Sequence, residues 1–140
     1  MKKSNVKKYL WQKDVGVGEF FFGEPLPGLK EDYIRIESIE EDSEEHVYSD
    51  LSDSLRLEVE SGILTGICCE KFFYINKSNI IGNLLTDLEL ELGEGYNSFN
   101  GPWIIGEEEQ LAYQFDKLNL QVWVANDYVK AVYCYAPCED

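Results

Sequence analysis

The clearest pattern in the chain lies between residues 55 and 75. Leu55, Leu57 and Val59 alternate with Arg56, Glu58 and Glu60, the period of a strand with one wet and one buried face. Ser61-Gly62 supplies a tight turn, Ile63 to Cys69 a returning strand, and Phe72-Phe73-Tyr74-Ile75 a third, closed by Asn76-Lys77-Ser78-Asn79. The pattern predicts a three-stranded meander. Upstream, Tyr33-Ile34-Arg35-Ile36-Glu37 alternates as a further strand. Residues 15–22 are expected as a strand too, because Gly16 and Gly18 break a helix and Phe20-Phe21-Phe22 suits a pleated surface. Val6 to Leu10 with Trp11 reads as a short helix or strand, and residues 38–47, which lack periodicity, as an exposed loop.

Residues 83–92 fit two periods. Leu84, Leu85, Leu88 and Leu92 have helical spacing, whereas Leu88, Leu90 and Leu92 alternate with Glu89 and Glu91. The Leu- and Glu-rich content favours a short helix ended by Gly93. Tyr96 to Gly106 is expected as a Gly/Asn/Pro loop carrying Phe99, Trp103, Ile104 and Ile105. Leu111–Phe115, Leu118–Val124 and Tyr128–Tyr135 follow as strands, the last two joined at Ala125-Asn126-Asp127. The sum is an α+β fold, mainly antiparallel β-sheet of about 7–8 strands with one or two short helices on one face. It is expected as a single domain over residues 1–140, with residues 1–13 a basic lead-in.

Charge changes this picture from fold toward partner. The 140 residues hold 12 Lys+Arg against 27 Asp+Glu, a formal net charge of -15. Five of the basic residues (Lys2, Lys3, Lys7, Lys8, Lys13) fall in the first 13 positions, which contain no acid. Residues 31–60 hold 12 acids against Arg35 and Arg56. Such acidity disfavours nucleic acid or an anionic membrane as the main partner, because phosphate repels carboxylate. No run of about 18 apolar residues is present, and no apolar core follows the first lysines as in a secretory leader, so a cytoplasmic protein is expected. Acidic loops ordinarily serve solubility, but about 2–8 charges suffice for a small domain. The excess points to a docking surface for a basic partner.

Catalytic and metal-binding patterns are weak. His46 is the only histidine and sits in the acidic stretch, where carboxylates favour its charged form and make it a poor general base. Cys68 and Cys69 are adjacent on a strand and face opposite sides, while Cys134 and Cys138 flank Pro137; reduced thiols and no zinc site are expected. Gly16-Val17-Gly18 lacks the spacing and the following helix of a nucleotide loop. Asp50-Leu51-Ser52-Asp53 lacks the Gly and Glu of a calcium loop. No cofactor, no metal and no catalytic residue are expected.

Leu55-Arg56-Leu57-Glu58-Val59-Glu60-Ser61-Gly62-Ile63-Leu64-Thr65-Gly66-Ile67, continuing to Asn79-Ile80-Ile81-Gly82, resembles the small immunity proteins encoded beside bacterial polymorphic toxins, including those of contact-dependent growth inhibition. Gly18-Glu19-Phe20-Phe21-Phe22-Gly23 and Leu120-Gln121-Val122-Trp123-Val124 fit the same pattern. The resemblance implies a non-enzymatic cytosolic inhibitor forming a 1:1 complex with a cognate toxin domain, often a nuclease, and blocking its active site. A nuclease cleft is basic, so carboxylates and aromatic anchors suit it. The expected docking charges are Glu40, Glu41, Asp42, Glu44, Glu45, Asp50, Asp53, Glu107, Glu108 and Glu109, with Tyr96 and Trp103 as anchors. Rival readings are a nucleic-acid mimic, an enzyme or small-ligand module with a pocket at Trp11, Phe20 and Trp123, and a structural component of a larger assembly.

Overall fold

Alternation in Leu55–Glu60 seeds the sheet, and each neighbouring strand repeats it. A computed structural model describes residues 3–38 and 45–137. It begins with α1 (Lys3–Lys8), then β1 (Trp11–Gln12), β2 (Gly16–Val17) and β3 (Phe20–Phe21), which form a small antiparallel sheet. Next come β4 (Tyr33–Ser38), β5 (Glu45–Asp50), β6 (Leu55–Glu60) and β7 (Ile63–Cys69). The hairpin β8 (Tyr74–Ile75) and β9 (Ser78–Asn79) and the helix α2 (Leu85–Leu92) follow. The chain closes with β10 (Ser98–Ile105), β11 (Glu108–Phe115), β12 (Leu120–Ala125) and β13 (Tyr128–Tyr135). The fold is α+β and mostly antiparallel β-sheet.

Eight strands make one sheet in the order β10-β11-β12-β13-β7-β6-β5-β4, antiparallel at every step. Period-two alternation gives it two unlike faces. Leu55, Leu57, Ile67, Cys69, Phe115, Leu120, Val122, Val132 and Cys134 are buried on one face. Tyr9, Val17 and Phe20 from the N-terminal sheet, Phe73 and Ile80 around the β8–β9 hairpin, and Leu88 of α2 join them in one core cluster. Each fully buried aliphatic or aromatic side chain is worth roughly 1.5–3 kcal/mol of transfer free energy. Backbone bonds stitch the cover to the sheet: Gly23 N–H to the Leu64 carbonyl, Tyr74 N–H to Tyr9, and Leu85 N–H to Asp127.

Four expectations need correction. Residues 15–22 are not one strand but β2 and β3, folded back around a turn at Gly18. A side chain there is barred twice, since φ is +58 and a Cβ would lie 2.0 Å from the Lys8 carbonyl oxygen. Phe72–Ile75 does not complete a meander. Tyr74–Ile75 pairs with Ser78–Asn79, and the free side of β7 goes to β13. The supposed loop 38–47 contains the end of β4 and the start of β5. Tyr96–Gly106 contains β10, an eight-residue strand exposed at every position, which ends in the two-residue turn Gly106-Glu107.

Candidate functional site

The expected docking acids separate by topology. Glu40, Glu41, Asp42 and Glu44 lie outside the described residues. Glu45 opens β5, opposite the C-terminal end of β4. Because neighbours alternate in direction, that end lies diagonally across the sheet from Glu107 on the β10–β11 turn. Seven strand-to-strand steps of about 4.8 Å, about 34 Å measured along the sheet, separate the two edge strands. Asp50 and Asp53 stand at the same end of the sheet as Glu107, but on the β5–β6 connection.

Asp50 is committed to its own turn. One carboxylate oxygen accepts the backbone N–H groups of Ser54 and Leu55 at 2.8 and 3.0 Å, and the other accepts the Ser52 and Ser54 hydroxyls at 2.8 and 2.7 Å. Burial alone would raise its pKa, but these hydrogen bonds, led by that of Ser54, hold it below the ordinary 3.8. The Ser54 hydroxyl also pairs with Tyr9 at 2.7 Å, tying the turn to the N-terminal segment. Asp53 sits at φ +57 and accepts from the Ser49 hydroxyl at 3.3 Å.

The β10–β11 corner is different. Glu107 and Glu109 are exposed, and Glu108 lies 3.8 Å from the Lys130 ammonium. Beside them Trp103 is 51% exposed, Ile104 66% and Ile105 48%. Trp103 donates its indole N–H to the Asn100 side-chain oxygen at 2.6 Å, which fixes the ring across the register slip between Asn100 and Trp103. Tyr96 belongs to the other end of β10. It packs edge-to-face on Tyr113 and Phe99, with ring centroids 4.8 and 6.0 Å away. The two anchors expected from sequence therefore sit on one strand and its approach without touching as a pair.

The second face of the sheet carries a polar and aromatic ladder that sequence reading missed. The Tyr133 hydroxyl donates to Glu58 across β7, where Gly66 leaves room: a Cβ there would lie 2.6 Å from both groups. Tyr133 stacks on Tyr135 at 5.5 Å, the Gln114 amide donates to the Tyr135 hydroxyl, and Trp123 donates to Gln121 at 3.0 Å. Burial first, then the Glu58 hydrogen bond, pushes the Tyr133 phenol far up, so it stays a donor at neutral pH. Trp123 belongs to this open face, whereas Trp11 packs on Phe73 and Phe20 lies in the core. The pocket imagined at Trp11, Phe20 and Trp123 is not assembled.

At the Glu45 end of this face a cleft of about 290 Å³ is lined by Glu45, His46, Glu58, Glu60, Thr65 and Tyr133, among others. His46 is a strand residue, not a loop one. Its ring packs edge-to-face with Tyr48 at 6.3 Å, and its buried Nδ1 meets no hydrogen-bond partner among the described residues. The described thiols make poor nucleophiles: burial, then Glu70, pushes Cys68 up to about 12, and burial raises Cys69 and Cys134 as well, while Cys138 lies outside the described residues. Among the described residues no cluster of metal-ligating side chains forms, and no helix is long and apolar enough to cross a membrane. No family model, curated protein or solved structure matches the chain.

Proposed function

We propose that this protein is a cytoplasmic immunity protein that binds a cognate toxin domain, a basic nuclease, in a 1:1 complex and masks its active site without catalysis. The observation that carries the reading is the β10–β11 corner, where exposed Trp103 and Ile105 share one face of the edge strand and exposed Ile104 stands on the other opposite Glu109, with Glu107 on the adjoining turn. An apolar centre with a charged rim is the anatomy of a specific protein interface. A net charge of -15 adds long-range attraction to a cleft built for polyphosphate. Encounter speed matters to an inhibitor that must catch a toxin before it cuts.

A nucleic-acid mimic fits less well. It needs a continuous row of free charges, whereas the open face between Glu45 and the β10–β11 turn pairs Arg56 with Glu70 at 3.2 Å, bonds Glu58 to Tyr133, and continues in the neutral side chains of Gln114, Gln121 and Trp123. The test is growth. The C-terminal part of the open reading frame immediately upstream is expressed in a bacterial host with and without this protein. Arrest relieved by this protein is the expected result; no arrest, or arrest it fails to relieve, removes the reading.

A further inference from the structure

The sheet ends on an apolar strand. β10 is terminal in the strand order, and no described strand pairs with its outer side. A terminal strand presents a row of backbone N–H and C=O groups ready to pair with another chain. Natural edges are commonly guarded by charge, yet Ser98-Phe99-Asn100-Gly101-Pro102-Trp103-Ile104-Ile105 contains none. Its guards are Pro102 and the register slip, and both precede Trp103. From Trp103 to Ile105 the strand pairs regularly with Gln110, Glu109 and Glu108. Trp103 and Ile105 therefore stand on one face and Ile104 on the other. A strand added there finds apolar contacts on both faces as well as backbone partners.

Charge selects the occupant. At the Ile105 end the turn and the facing strand carry Glu107, Glu108 and Glu109, set against one cation, Lys130, 3.8 Å from Glu108. A second copy of this chain would bring another net charge of -15 to the same edge, and like charges across a strand pair are destabilising. We propose that β10 accepts an added β-strand from a protein partner, and that this strand carries Lys or Arg where it passes the Gly106-Glu107 turn. Backbone pairing supplies affinity in this mode, and alternate side chains supply specificity. The identity of the partner as a toxin rests on the reading above; the mode of binding does not.

Hydrogen–deuterium exchange on the full chain tests the mode without a toxin. The probe is a blocked peptide of about ten residues alternating Lys and Val, with a Glu–Val peptide of equal length as control. Expected is slowed exchange across Ser98–Ile105 with the Lys–Val peptide alone, weakened by salt and absent from Tyr33–Ser38. Ile104→Lys, at an exposed position, should reduce apparent affinity about tenfold or more while leaving the melting temperature unchanged. Slowing on β4 instead, equal slowing by both peptides, or no slowing on β10 overturns the proposal. So does a concentration-dependent dimer that protects the same amides without peptide. Growth relief without β10 protection would sink strand addition alone; β10 protection without growth relief would sink the immunity reading alone.

Discussion

At one edge of the sheet, β4 sets Arg35 and Glu37 among its isoleucines, and Tyr33 is tied back through its hydroxyl to the Pro27 carbonyl and edge-to-face to Phe20 at 6.3 Å. At the other edge, β10 crosses eight residues without a charge and with every position exposed. Both strands slip register once, between Arg35 and Glu37 and between Asn100 and Trp103. A bulge is therefore common to the two edges and cannot explain their difference. Both edges expose apolar side chains, Ile34 and Ile36 on β4 and Trp103, Ile104 and Ile105 on β10. What differs is that β4 interleaves them with charge and is tethered through Tyr33, whereas β10 carries no charge at all. The neighbouring turns repeat the contrast. Asp50 spends its carboxylate on the β5–β6 connection, while Glu107 and Glu109 stay in solvent beside Trp103.

The largest effect expected is structural and lies beside β5. Asp50→Ala should lower unfolding free energy by about 3 kcal/mol in denaturant titration, since two backbone N–H groups lose a charged acceptor, yet leave partner affinity of the folded protein unchanged. The same carboxylate sets a pH dependence. Its pKa is lowered on folding, so the stability it confers is complete above the ordinary 3.8 and is lost as the pH falls below it. Acid titration of the melting temperature should show a steeper fall below that pH in the native chain than in Asp50→Ala.

Next comes the β10 edge. Trp103→Ala should weaken partner binding by about 2 kcal/mol, roughly 30-fold, with an unchanged melt, whereas Ile34→Lys on β4 should change neither. Reversing Glu107 and Glu109 to Lys should cost about tenfold, mostly in association rate, and flatten the salt dependence. Unchanged affinity and salt dependence would take that turn out of the interface. The smallest effect is Gly66→Ala, which crowds the Tyr133–Glu58 bond and should cost about 1 kcal/mol in stability.

Legibility followed burial. Leu55–Glu60 could be read because one face is buried and the other wet. Leu85–Leu92 could be read because Leu88 faces the core and Gly93 takes the left-handed cap at φ +74. β10 could not, because a strand exposed on both faces leaves no alternation, and Gly101-Pro102 mimics a loop. β5 was hidden by the acidic run that precedes it. The third strand of the meander was misassigned because β7 takes its second partner, β13, from 63 to 69 residues away. At the site, composition located Glu107–Glu109 and Trp103 but equally Asp50 and Asp53. Only closure of the 50–55 turn distinguishes a carboxylate that holds backbone from one that faces solvent.

The most direct measurement is growth relief by paired edge variants, each expressed to equal soluble levels against the upstream toxin domain. The account predicts that the native chain and Ile34→Lys restore growth and that Trp103→Ala does not. Relief retained by Trp103→Ala and lost by Ile34→Lys would contradict it, and would move the docking surface to the opposite edge of the sheet.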